Sequence, residues 1–158
     1  MRTLAAAAQA AAAATRLSIA LTAAGMVGCI AYQVVMRYVV GSASSWSEEM
    51  AVLLFSWSVL GGLALGVHEG FHVRLTLLPD RLPRGGRIVA ERALDAVTAA
   101  LGAFLAWSGW RFLDITGGSV SAAMGYPTEI LNALAIICGA LMALFGLERA
   151  LRPGGVPA

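Results

Sequence analysis

Four apolar stretches separated by shorter polar ones set the pattern of the chain. Leu17 to Met36 is the first, flanked by Arg16 and Arg37. The second carries no charge from Met50 to Val67 and is opened by Ser45-Trp46-Ser47-Glu48-Glu49. Ala93 to Leu113 is the third and most polar, and Ile130 to Leu147 is the fourth. Each is close to the roughly 20 residues that a helix needs to cross a hydrocarbon core of about 30 Å. The pattern predicts an all-α integral membrane protein with four transmembrane helices, about 17–36, 48–67, 93–113 and 130–147. They form a single membrane domain over 1–158, with an alanine-rich segment (1–15) before them and a flexible tail (153–158) after them. Met26-Val27-Gly28-Cys29 faintly resembles a lipoprotein cleavage box. The apolar run continues through it to Met36, so an uncleaved helix is expected.

The ends of these stretches carry the polar residues. Ser45 and Glu48 have the spacing of a capping box, and Glu48 and Glu49 sit at the positive end of the helix dipole. Trp46 suits the headgroup zone. Ser58, Gly62 and Gly66 fall four apart and predict a small-residue face that another helix can approach. Ala135, Gly139 and Ala143 repeat that spacing in the fourth helix. Asp95 lies three after Arg92, and Asp114 three after Arg111, so each pair is expected to close locally at a helix end. Thr128 is the expected N-cap of the fourth helix, with Glu129 beside it.

Between the second and third helices, Arg74, Arg81, Arg84, Arg87 and Arg92 alternate with Leu75, Leu77, Leu78, Leu82, Ile88 and Val89. This reads as an amphipathic surface segment, with Arg74, Arg81, Arg84 and Arg87 toward lipid phosphate. A solvated basic loop is the alternative. Charge then orients the chain. Nine of eleven arginines fall on one side if both termini and this connection share it, which predicts cytoplasmic N and C termini. Tyr38, Trp46, Trp110 and Tyr126 all fall at the opposite, outer interface, where Trp110 and Tyr126 would contact lipid headgroups.

Composition agrees. The chain is 59% hydrophobic and only 13% charged, whereas soluble domains run near 25% charged. A net charge of +2 gives no reason to expect nucleic acid. Cys29 and Cys138 stand singly in apolar runs, without the paired spacing of a redox or zinc site. His68 and His72 are one helical turn apart, but no third ligand stands nearby, so no metal, haem or other cofactor is expected. Glu48 and Glu49 could serve a proton or a cation; their place at a helix start favours the interface. No nucleophile–base pair is evident, and no enzyme activity is expected. Apolar midplanes leave nothing to hold a substrate, unlike a self-sufficient transporter. They suggest a scaffold presenting small-residue faces to a larger partner.

The order of these features resembles the small, four-helix membrane subunit (Q type) of TRAP, tripartite ATP-independent periplasmic, transporters. Arg37 ends the first helix, and Trp46, Glu48 and Glu49 open the second. Trp57 and Gly61 lie inside the second helix, His72 follows it, and Pro83 precedes the third. Gly125-Tyr126-Pro127 resembles the family's turn before the fourth helix. Two positions depart: Thr76 stands near where an aspartate often occurs, and Asn132-Ala133-Leu134 replaces a proline-glycine. The resemblance implies symport with sodium of a carboxylate-type solute by a large permease subunit in the bacterial inner membrane. A periplasmic solute-binding protein would deliver the solute. It also implies a partner interface at Trp46, Glu48, Glu49, Trp57, Ser58, Gly61, Gly62, Gly66 and His72. Two other readings stay open: the membrane anchor of a respiratory enzyme holding haem or quinone, and a small homo-oligomeric exporter coupling protons at Glu48 or Glu49.

Overall fold

The computed structural model describes residues 2–70 and 84–151. They form four helices: α1 (Arg2–Val35), α2 (Ser45–Glu69), α3 (Arg84–Thr116) and α4 (Glu129–Ala150). A π-helical turn, Met36–Val40, follows α1. Among the described residues, three segments are long and apolar enough to cross a membrane: Thr3–Val40, Ser45–Glu69 and Glu129–Ala150. α3 is longer than α2 or α4 but less apolar, and it is not in that group.

Two helices start well before their apolar runs, by nine residues or more. α1 includes the alanine-rich segment, because alanine is the best helix former and because the segment is packed. Ala8, Ala12 and Thr15 are buried, the two alanines clustering with Ala64, Val67, Cys138, Met142 and Phe145. α3 begins at Arg84, so the stretch from 84 to 92, read from sequence as part of a surface connection, is its opening turns. The rest of that connection, with His72, Arg74, Arg81 and Pro83, lies outside the described residues, as do the side chains of Arg84 and Arg87.

The helix ends differ from the caps expected. Ser44, not Ser45, is the N-cap of α2, and it makes no side-chain cap. Ser47 Oγ donates to Ser44 O at 2.8 Å. Thr128 does not cap α4 with its side chain either; its hydroxyl donates to Ser119 O at 3.1 Å. α2 stops where Gly70 turns left-handed at φ 75° and donates its N–H to Gly66 O and Val67 O. Of the His68/His72 spacing read from the sequence, only His68 lies in α2; His72 is outside the described residues.

The helices pack in the order α1, α2, α4, α3, with α2 and α4 inside. α3 and α4 touch backbone to backbone. A β-carbon at Gly102 would sit 2.6 Å from Ala143 N, one at Gly146 would sit 2.8 Å from Ala99 N, and one at Gly139 would collide with Ala106. The small face at Ala135, Gly139 and Ala143 is thus turned inward against α3. α1 and α2 are joined by hydroxyls: Thr22 Oγ1 and Ser58 Oγ lie 2.9 Å apart, and Trp57 Nε1 donates to Ser18 Oγ at 3.1 Å. α2 and α4 meet where Cys138 Sγ donates to Leu60 O at 3.1 Å.

Candidate partner interface

Glu48 and Glu49 are adjacent in sequence and point to different tasks. Glu49 reaches across to the α3–α4 connection. It accepts the Ser121 hydroxyl and the backbone N–H groups of Ala123 at 3.0 Å and Met124 at 3.1 Å. That connection is already ordered by its own bonds: Ser121 N to Tyr126 O at 2.8 Å, Thr128 N to Ser119 O at 3.0 Å, and a bridge between Val120 and Pro127. Glu129 holds its other limb, accepting Gly118 N at 2.6 Å. Two carboxylates therefore fix the turn at the end of the bundle where α2 starts. Glu48 is exposed and has no side-chain partner among the described residues.

The opposite end is tied by a different set. Arg149 Nε, near the end of α4, donates to Asp95 Oδ1 of α3 at 3.0 Å, with both side chains largely buried. The same guanidinium reaches His68 O, at the C-terminus of α2, at 3.5 Å. A cation there satisfies a carbonyl that a helix end leaves open. The His68 ring packs on Phe145 with centroids 4.9 Å apart. Arg16 of α1 pairs with Glu69 of α2 at 2.6 Å, in a more exposed setting. The local pairings read from sequence are replaced or missing. Asp95 is joined to Arg149 across 54 positions, and Arg111 and Asp114 are exposed without an ion pair between them. Spacing along one helix gave no signal for Arg149. The only hint was an Arg just beyond a helix whose neighbour begins with an Asp.

The residues expected at a partner interface are divided by the fold. Trp57 and Ser58 bond to α1, and Gly61 is buried beneath Ile19. The Trp46 ring lies against Tyr32 at 5.3 Å. Gly62 and Gly66 are different, because a β-carbon built at either meets nothing within 4 Å. With Glu48, Val52, Phe55 and Val59 they recur every three or four residues, which places them along one side of α2. Val52, Phe55 and Val59 are each more than half exposed. This side is the candidate site: an acidic residue at one end, large apolar residues in the middle, and a shallow glycine channel at the other end. Of the expected lipid contacts, Trp110 is exposed and Tyr126 half-buried.

The same region can be compared with known proteins. Residues 26–153 match the family described as tripartite ATP-independent periplasmic transporters, DctQ component. The chain belongs to the DctQ family. It is a component of a transporter and not an enzyme. The DctQ match covers the end of α1 and all of α2, α3 and α4, so the candidate side of α2 lies within it. The chain is 31% identical to the uncharacterized protein y4mM of Sinorhizobium fredii over 120 residues, 75% of this chain and 22% of that protein. It is 32% identical to the sialic acid TRAP transporter small permease protein SiaQ of Vibrio cholerae over 83 residues, 52% of this chain and 48% of that protein. A putative TRAP transporter small permease protein of Haemophilus influenzae is 25% identical over 116 residues, 73% of this chain and 72% of that protein. This chain thus spans about a fifth and about half of the first two relatives.

Proposed function

We propose that this DctQ chain is the scaffold subunit of a sodium-coupled, secondary-active TRAP transporter. It would hold a large permease subunit in the bacterial inner membrane while a periplasmic binding protein delivers a carboxylate-type solute. The open side of α2 carries this reading. Polar groups between the helices find partners within the bundle, and α2, an inner helix, still leaves Val52, Phe55 and Val59 exposed and Gly62 and Gly66 uncovered along a third side. The y4mM relative supports a large partner, since its matching segment is part of a much longer polypeptide. The sialic acid relative supports the solute class, because sialic acid carries a carboxylate.

The fourth crossing belongs to the same proposal. α3 runs antiparallel to α4 from Asp95–Arg149 at one end to Gly118–Glu129 at the other. A helix packed along the full length of a spanning helix spans with it. Both termini then lie on the arginine-rich, cytoplasmic side.

Co-expression of the tagged chain with the large permease encoded beside it, followed by purification in mild detergent, tests the reading. A one-to-one complex is expected. Gly62→Leu adds bulk where the chain itself has open space, so it should leave the subunit folded and reduce the recovered permease by about tenfold, the effect of roughly 1.4 kcal/mol. A wild-type chain that purifies alone as a well-behaved homo-oligomer would sink the scaffold reading.

A further inference from the structure

Charged residues close each apolar stretch, and the intervals between them are nearly equal. Arg16 and Arg37 bracket the stretch of α1, Glu49 and Glu69 that of α2, Arg92 and Arg111 that of α3, and Glu129 and Glu148 that of α4. Asp95 is the one carboxylate or guanidinium inside these intervals, and it is held by Arg149. At 1.5 Å per residue each interval is about 30 Å, one hydrocarbon thickness.

The intervals are equal in length but not level with one another. Between α1 and α2, Thr22 meets Ser58, and a β-carbon at Gly25 would meet Leu54. That register carries Arg37 past Ser45, where α2 starts, and leaves Arg16 about 8 Å short of Glu69 along the axes, a gap the arginine bridges by its length. Between α2 and α4, Cys138 meets Leu60, so Glu129 and Glu148 stand close to the levels of Glu49 and Glu69. Between α4 and α3, Gly109 faces Ala135 and Ile136, which sets Arg111 about 8 Å inside Glu129. Asp95 meets Arg149, which sets Arg92 beyond the end of α4 at Ala150. Across the row α1, α2, α4, α3 both boundaries therefore step in one direction, by roughly 15–20 Å in all. Three spacings of about 8–10 Å between axes set the width of the row, so the boundaries slope at roughly 30°.

A membrane level with α2 and α4 would draw Arg16 and Arg111 about 8 Å into hydrocarbon, where a charge is costly. Val34, Val35 and Val89, each at least half exposed, would stand in headgroups or water. We infer that the lipid-facing belt of this chain is oblique, and that the bundle leans in the bilayer by roughly 30° in the plane of its row. Arg16, Arg37, Arg92 and Arg111 then all reach a headgroup boundary. Val34 and Val35 enter hydrocarbon, and Trp110 stays at the outer interface beside Arg111. The inference rests on the four crossings proposed above and needs no partner protein.

Oriented-sample solid-state NMR of the isotope-labelled full chain, in aligned phosphatidylethanolamine and phosphatidylglycerol bilayers, reads helix tilt directly. The mean tilt of α2 and α4 is expected near 30°, and a mean below about 10° would overturn the lean. Depth gives a second measurement. Nitroxide labels at Val34→Cys, Val97→Cys and Val52→Cys, in a chain carrying Cys29→Ala and Cys138→Ala, should all lie in hydrocarbon, where oxygen relaxes them more than a water-soluble nickel chelate does. Labels at Val34 and Val97 that respond to nickel, with Val52 still protected, describe an upright bundle and would also overturn it. An α3 lying parallel to the bilayer surface would show that the fourth crossing itself has failed. A spanning α3 in an upright bundle would show that only the lean has failed.

Discussion

Glu49 and Glu48 show how far one position can separate two roles. A helix advances about 100° per residue, so neighbours point apart. Glu49 meets a turn whose backbone N–H groups face it, and Glu48 meets none. A carboxylate accepting backbone N–H bonds replaces water for those groups. Glu49→Ala should therefore speed hydrogen exchange at the Ala123 and Met124 amides, with the amides in the middle of α4 unchanged. Mass-spectrometric exchange on the detergent-solubilised protein measures both, and equal rates at 123 and 124 would show that the clasp does not order the turn. Sequence alone placed Glu49 at a helix start. It could not say which of the two glutamates turns inward, because that depends on the neighbour helix and not on the segment itself. The missing capping box has the same origin: the helix begins at Ser45, one position earlier than that motif requires for a Ser45 cap.

At the scale of elements, each apolar run falls inside a helix, but the helix ends lie elsewhere. Hydropathy marks where lipid contact is tolerated. Helix propensity and packing decide where the backbone stops coiling, and they carry α1 back to Arg2 and α3 back to Arg84. Small residues at spacing four also give an ambiguous signal. They allow close approach by any helix, and in α4 the close neighbour is α3, whereas in α2 two glycines stay uncovered. The distinction has a measurable outcome. Gly139→Leu places side-chain atoms against the Ala106 backbone, which cannot retreat as a flexible side chain would. Overpacking of this kind costs about 1–3 kcal/mol. The variant should lose its monodisperse elution at a lower temperature than wild type, while Gly62→Leu should not. Matching thermal profiles for the two variants would mean that α3 and α4 are not in such close contact.

For the whole molecule, the row α1, α2, α4, α3 leaves much surface that only a bilayer or a partner can cover. The alanine-rich start belongs to this body and is not an appendage, since Ala8 and Ala12 lie in the cluster that includes Val67 and Phe145. Deleting residues 2–13 should uncover that cluster and lower the temperature at which the purified protein aggregates, with the helical content of the remainder retained. An unchanged aggregation temperature would mean that these alanines contribute no packing. This part of the core was the least legible in the sequence, because a run of alanine has no periodicity to reveal a buried side.

The clasp also has a consequence in time. Glu49 and Met124 are 75 positions apart. At about 5–20 residues per second of synthesis, the carboxylate waits roughly 4–15 s before its turn is made. The hairpin of α1 and α2 and the hairpin of α3 and α4 each have near neighbours in the chain and can close first. Only when the second hairpin has come to rest beside the first can Glu49 find its amides. The bond thus belongs, with Cys138 to Leu60 and Arg149 to His68, to the set that joins the two hairpins and can close only after both exist.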